Sequence, residues 1–197
     1  MRQAITHLLY LHGFRSSPLS SKAQRMAAWL GELAPTLRWW CPQLPPSPAE
    51  AWALLQAGIA DWPINKMAVI GSSLGGFFAT VVAETTGCRA LLLNPAVDPA
   101  RGLARHVGMQ TQYHSPEQSF EFLPRYLDEL RAMTPETITR LERYAAIIAK
   151  GDELLDWREM CGRYPGANIR LLEGSDHALS DFDEHLDFVV EFLGLAR

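Results

Sequence analysis

The residues best suited to do chemistry lie in the run Val69-Ile70-Gly71-Ser72-Ser73-Leu74-Gly75-Gly76, which sets Ser73 in the spacing Gly-x-Ser-x-Gly. A serine hydroxyl is a weak nucleophile until a neighbouring base takes its proton. A sharp strand-to-helix turn lifts such a hydroxyl clear of the chain, and glycines two residues to either side leave room for the turn. The spacing selects Ser73 over Ser72, whose corresponding neighbours are Ile70 and Leu74. By composition alone the pattern arises in roughly one random chain in fifteen of this length, so the flanking sequence has to decide. Lys66-Met67-Ala68-Val69-Ile70 has the length and apolarity of a buried strand, and Phe77 to Glu84 reads as a mostly buried helix that Gly87 can end. A phosphate-cradling turn would need a lysine and a Ser/Thr where Phe77-Phe78 stand.

Such a serine needs a base and a carboxylate to orient it, and in a strand–helix sheet they follow in the order Ser, Asp or Glu, His. Of the six histidines, only His177 and His185 lie beyond the last plausible acid, and only His177 sits in a loop just after a strand, Gly174-Ser175-Asp176-His177-Ala178. Asp152 follows the strand Ala145 to Ala149 through Lys150-Gly151, which brings it to the same carboxyl edge of the sheet as Ser73 and His177. Asp98, Asp156 and Glu153 are competing acids; Asp152 could instead cap a helix near Leu154, and His177 could simply bond to Asp176.

Acyl transfer also needs backbone donors aimed at the developing oxyanion. The Leu74 amide opens a helix, where free N–H groups favour negative charge, and the Phe14 amide follows Gly13 in the loop His12-Gly13-Phe14-Arg15-Ser16-Ser17. His12 and Arg15 are the substrate-binding candidates in that loop. His12 shapes the loop or merely packs, and Arg15 meets an anionic part of a substrate or stands solvated.

These groups must be positioned by a sheet. Apolar runs at Leu8 to Leu11, Leu37 to Cys41, Met67 to Ile70, Ala90 to Leu93, Ala145 to Ala149 and Ile169 to Leu172 alternate with helical segments at Ser21 to Leu33, Ala49 to Ile59, Leu74 to Thr86 and Phe182 to Leu193. The alternation predicts an α/β fold of about six mostly parallel strands with helices on both faces. The interval from Asn94 to Arg143 breaks the rhythm. It carries five prolines and no strand pattern, and Glu117 to Met133 reads as a helix broken near Pro124. An insertion at about 95–143 is expected to be a helical lid, or else a surface excursion. Its Phe120, Phe122, Leu123, Tyr126 and Leu127 would line an acyl pocket or merely pack.

Length and composition fit one domain spanning 1–197. The chain is 48% hydrophobic and 20% charged, enough to bury a substantial core. A net charge of −4 argues against an extended nucleic-acid surface. Cys41, Cys88 and Cys161 are too few and scattered for a disulfide framework or a zinc site. The N-terminal apolar run is too short for a signal-peptide core, and no stretch is long enough to span a membrane, so a cytoplasmic location is expected.

Taken together, Leu11-His12-Gly13-Phe14-Arg15-Ser16-Ser17, Gly71-Ser72-Ser73-Leu74-Gly75-Gly76, Asn94-Pro95-Ala96-Val97, Gly151-Asp152-Glu153 and Ser175-Asp176-His177-Ala178 resemble the α/β-hydrolase superfamily, and more narrowly the small bacterial YqiA-type esterases. The resemblance spans nearly the whole chain. It implies Ser73, Asp152 and His177 as a catalytic triad, with hydrolysis of carboxylic esters or acyl thioesters, acyl-CoA among them, and no metal or organic cofactor. The leading antiparallel strands of larger members are missing, and the insertion matches no motif. The expected partner is a small ester or thioester. A cofactor-free lyase or acyltransferase using the same triad is one alternative, and a catalytically silent binding protein is another; a phosphate-binding mononucleotide fold lacks its lysine.

Overall fold

The structure, a computed structural model, describes residues 4–195. Its elements run β1 (His7–Leu11), α1 (Ser21–Leu33), β2 (Arg38–Trp40), α2 (Pro48–Ile59), β3 (Met67–Ser72), α3 (Leu74–Thr86), β4 (Arg89–Leu93), α4 (Pro99–Leu103), β5 (Gly108–Thr111), β6 (Ser119–Phe122), α5 (Arg125–Met133), β7 (Tyr144–Ala149), α6 (Trp157–Arg163), β8 (Asn168–Leu172) and α7 (Leu186–Leu193). Six strands form one parallel sheet in the order β2-β1-β3-β4-β7-β8, as the alternation predicts.

Central strands read as continuous apolar runs because both faces are covered. On one face Leu8, Tyr10, Ala68, Ile70, Leu91, Leu93 and Ile147 meet α1 and α7 through Met26, Leu30, Phe188 and Phe192. On the other, Leu9, Leu11, Val69, Leu92, Ala146 and Ile148 meet α2, α3, α5 and α6 through Leu55, Phe78, Leu130 and Met160. Each large aliphatic side chain buried this way contributes about 1.5–3 kcal/mol, and truncating one to Ala would cost about 2–5 kcal/mol.

The register aligns the carboxyl ends of the strands: Leu11 pairs with Gly71, Ser72 with Leu93, Leu93 with Ile147, and Ala149 with Leu172. The residues that follow, His12 to Ser16, Ser73, Asn94, Asp152 and His177, therefore emerge along one edge. Strand order reverses between β1 and β3, the point where ligand crevices form in open α/β sheets.

Three expectations need correction. The stretch 94–143 does contain strands: β5 and β6 pair antiparallel, Gly108 opposite Phe122 and Thr111 opposite Ser119. Period-two alternation is present in Ser119-Phe120-Glu121-Phe122, with Phe122 inward, but it covers only four residues in a stretch otherwise rich in helix formers. The helix is accordingly shorter than expected and begins only after Pro124, at Arg125. The last helix is also divided, a tight turn at Phe182–His185 preceding α7. Beyond α5 the chain returns through Arg143, whose Nη2 donates to Glu84 Oε1 of α3 at 3.0 Å and to Thr139 Oγ1 at 2.7 Å. The Tyr144 hydroxyl also donates to Glu84. No described helix is long and apolar enough to cross a membrane.

Candidate functional site

The turn after β3 is built from missing side chains. A Cβ on Gly71 would lie 2.1 Å from the Gly75 carbonyl oxygen, one on Gly75 would lie 2.0 Å from the Leu11 carbonyl oxygen, and one on Gly76 would lie 2.7 Å from Pro95 Cβ. Between them Ser73 adopts φ 55°, ψ −120°, a conformation that costs a non-glycine residue about 1–3 kcal/mol. Its backbone is over-determined: the Ser73 amide donates to Leu93 O at 3.0 Å, and its carbonyl accepts from Gly76 N at 2.8 Å and Ala96 N at 3.0 Å.

His177 Nε2 lies 3.0 Å from Ser73 Oγ, and His177 Nδ1 lies 2.8 Å from Asp152 Oδ2. Because the carboxylate can only accept, Nδ1 carries the proton and Nε2 offers its lone pair to the serine O–H. The Asp152 side chain is fully buried. Its other oxygen, Oδ1, accepts from Leu154 N and Leu155 N, both at 2.8 Å, so the capping role and the histidine-orienting role are held by the two oxygens of one carboxylate.

The competing acids are engaged elsewhere. Asp98 caps α4 by accepting from Arg101 N, Asp156 caps α6 by accepting from Arg158 N, and Asp176 accepts from Ser180 N and Oγ. Glu153 does reach the histidine, but at its backbone, where Oε2 accepts from His177 N at 3.0 Å. His185 closes the turn before α7 and faces Asp181.

Gly13 brings the loop after β1 against the serine: a Cβ there would sit 3.3 Å from Ser73 Cβ and 3.7 Å from Ser73 Oγ. Among the described residues neither the Phe14 nor the Leu74 amide donates to a protein acceptor. His12 is buried with both ring nitrogens occupied by backbone: Nδ1 donates to Gly13 O at 3.0 Å and Nε2 accepts from Leu44 N at 3.2 Å. Burial lowers its pKa, which keeps the ring neutral in that tautomer. Arg15, at φ 60°, is clasped by the insertion; its Nε donates to Thr111 O at 2.7 Å, its carbonyl accepts from Tyr113 N at 2.9 Å, and its guanidinium lies 4.4 Å from the Tyr113 ring centroid. Both side chains hold the loop in shape.

Two cavities flank this loop. The larger, about 740 Å³, opens onto Ser73 and His177 and is walled in part by the insertion through Val97, Leu103 and His106. The smaller, about 440 Å³, is a mostly apolar slot reaching Gly13 and Leu74, bounded by Phe14, Leu44, Phe120 and Phe122. Of the insertion's apolar residues, Phe120 and Phe122 line this slot, whereas Leu123, Tyr126 and Leu127 pack against the core.

Sequence reasoning assigned Asn94 no task. It is fully buried at φ 42°, its Nδ2 donating to Asp176 O at 3.0 Å and His177 O at 3.3 Å while Oδ1 accepts from Ala149 N at 2.8 Å. It thus ties the end of β4 to the end of β7 and to the histidine loop. The available signal was an Asn directly after a buried strand and before Pro95, since Asn tolerates positive φ better than most residues. Lys22, which donates from Nζ to Ala178 O, was likewise not singled out. Among the described residues no three His, Cys, Asp or Glu side chains form a metal-binding group.

The parallel sheet, the glycine-built turn after its third strand and the serine–histidine–aspartate contact define an α/β hydrolase fold. Solved structures agree. The chain matches alpha/beta hydrolase domain-containing protein 10 from mouse with a TM-score of 0.67 at 13% identity, over 98% of this chain and 92% of that one. It matches one of the metagenome-derived lipolytic enzymes LipS and LipT with a TM-score of 0.67 at 15% identity, over 98% and 96%. An esterase of Pyrococcus furiosus aligns with a TM-score of 0.63 at 17% identity, over 98% and 82%. Within that class the chain belongs to the uncharacterised protein family UPF0227, whose model matches residues 7–194.

Proposed function

We propose that the protein is a serine hydrolase that cleaves carboxylic esters or acyl thioesters through an acyl-enzyme on Ser73. The observation that carries this reading is the continuous contact from Ser73 Oγ through the His177 ring to the buried Asp152 carboxylate, at 3.0 and 2.8 Å. In this mechanism His177 Nε2 takes the hydroxyl proton as Oγ attacks the acyl carbon, and Asp152 holds the Nδ1–H tautomer and stabilises the imidazolium. The Phe14 and Leu74 amides, without protein acceptors among the described residues, donate to the oxyanion. Collapse of the tetrahedral intermediate breaks the bond to the leaving alcohol or thiol, which takes the proton from His177. Water, deprotonated by the same ring, then attacks the acyl-enzyme and releases the acid.

The two cavities divide a substrate between them. The apolar slot touching Gly13 and Leu74 suits the acyl chain, and the wider cavity beside His177 suits the leaving group. Esterase and lipolytic names among the structural neighbours are in keeping with this chemistry.

Labelling with a fluorophosphonate probe tests the reading. One adduct per chain by intact mass, absent from Ser73→Ala, is expected, followed by turnover in a panel of p-nitrophenyl esters and acyl thioesters. A folded wild-type protein that takes up no probe would overturn it.

A further inference from the structure

The start of α1 forms part of the larger cavity, to which Ser20, Ser21 and Lys22 bring hydrogen-bond donors. Ser20, at the N-cap, makes no side-chain cap, and its Oγ is buried with no partner. The first turn of this 13-residue helix contains no acidic residue. Its leading N–H groups are therefore uncompensated by charge, and a helix start favours an anion. A cation stands there instead: Lys22, whose ammonium lines the cavity and spends one N–H on Ala178 O.

A second observation is independent of the helix. Tyr10, on β1, is fully buried, borders the same cavity and leaves its hydroxyl without a hydrogen-bond partner. Stranding a buried hydroxyl costs about 1–3 kcal/mol, so such a group is normally matched. Tyr10 Oη, Ser20 Oγ and the remaining N–H groups of the Lys22 ammonium are thus donors carried by residues of one cavity wall, the chemistry that an anion's oxygens would meet.

The groups facing Lys22 are the carboxylates of Asp176 and Asp152, and next to them His177. Asp176 and Asp152 favour its charge, yet burial outweighs them and the amine is brought down to about 8. Asp152 is committed to His177 and Asp176 to Ser180.

We propose that Tyr10, Ser20, Lys22 and the first turn of α1 form an anion subsite, so that the esters cleaved at Ser73 carry a carboxylate or a phosphate on the leaving-group side. The assignment to that side follows from the neighbourhood of His177 and Ala178, since the histidine hands its proton to the leaving group; to this extent the inference rests on the proposed hydrolysis.

Three acetyl esters of matched shape test it, those of 3-hydroxybenzoate, 3-hydroxyphenyl phosphate and methyl 3-hydroxybenzoate. With wild-type protein, KM for at least one anionic ester falls about ten-fold below that of the neutral methyl ester, the effect of one charge-assisted hydrogen bond. Whichever anionic ester wins identifies carboxylate or phosphate. Lys22→Met removes the preference and Lys22→Arg retains most of it. Tyr10→Phe, which deletes a single oxygen, narrows it several-fold and serves if Lys22→Met fails to fold.

Binding of benzoate and of inorganic phosphate to Ser73→Ala protein, followed by calorimetry, reads the subsite without turnover. It should be lost with Lys22→Met and should weaken as pH rises past about 8, where the free protein's amine loses its proton. Equal KM values for all three esters with wild-type protein, or a preference that survives Lys22→Met, overturns the subsite. Lys22-dependent binding without hydrolysis of any ester would instead leave the subsite standing and remove the hydrolase reading.

Discussion

Replacing Asn94 with alanine tests whether the histidine is held by its own loop or by a brace from the neighbouring strand. Three hydrogen bonds disappear, at 2.8, 3.0 and 3.3 Å. The largest loss is at Ala149, whose buried N–H is left without an acceptor at a cost of about 1–3 kcal/mol. The bonds to the Asp176 and His177 carbonyls add about 1 kcal/mol between them because one amide nitrogen serves both. Alanine at φ 42° adds roughly 1–2 kcal/mol of backbone strain. The sum, about 3–6 kcal/mol, corresponds to a melting temperature lowered by on the order of 10 °C for a domain of this size.

Function should fall further than stability explains. A histidine displaced by an ångström or less costs about a hundred-fold in rate, read as the rate of Ser73 labelling by a fluorophosphonate well below the melting range. Asn94→Gly separates the contributions: it loses the same bonds without the strain, so it should melt above Asn94→Ala while labelling as slowly. An Asn94→Ala protein that melts and labels like wild type would refute the brace, and one more stable than Asn94→Gly would refute the backbone argument.

Asp152→Asn should keep a bond to the His177 ring but favour the wrong tautomer, lowering turnover by roughly four orders of magnitude in steady-state assays; retention of a tenth of the activity would show that Asp152 does not orient the base. Arg143→Met should destabilise by roughly 2–4 kcal/mol at neutral pH, below the full cost of orphaning a buried charge because Thr139 and Tyr144 still donate to Glu84. Burial alone would raise the Glu84 pKa, but hydrogen bonds from Thr139, Tyr144 and Arg143 hold it below its ordinary value of 4.5. The stability it provides is therefore present above that value and lost as pH falls below it, so the melting difference between wild type and Arg143→Met should shrink on acidification. Arg15→Ala removes the bond to Thr111 O and the stacking on Tyr113, and amide exchange across β5 and β6 should rise about ten-fold by mass spectrometry; unchanged protection would show that the hairpin holds itself.

The sheet was legible because its central strands are sealed on both faces. Met67 to Ile70 and Ala145 to Ala149 carry no residue that water could claim, and glycines at positions 71 and 75 mark the turn by what they lack. The positions of Ser73, Asp152 and His177 could be read from chain order and sheet polarity, which are one-dimensional. What escaped was information held between segments. The hairpin at 108–122 takes its register from its two short strands and from Arg15, nearly a hundred residues away in sequence, so no local period announces it strongly. Asn94 and Lys22 escaped for the same reason: an amide and an amine acquire a task only when the fold brings the 176–178 carbonyls to them.

The two sides of the site are braced by different devices. Gly75 has no Cβ, so the start of α3 presses directly on the Leu11 carbonyl. That contact fixes the end of β1, and with it Gly13, beside Ser73; a loop set this way cannot drift from Ser73 without opening the turn itself. His177 has no such backbone anchor. His177 is the fifth residue of the loop after β8, the outermost strand on its side of the sheet, and is held by Asn94 from behind, Glu153 at its amide, Asp152 at its ring and Lys22 on the next carbonyl. Side chains therefore do on the histidine side what the absence of side chains does on the serine side, and the histidine side is where single substitutions can shift the proposed base without breaking the fold.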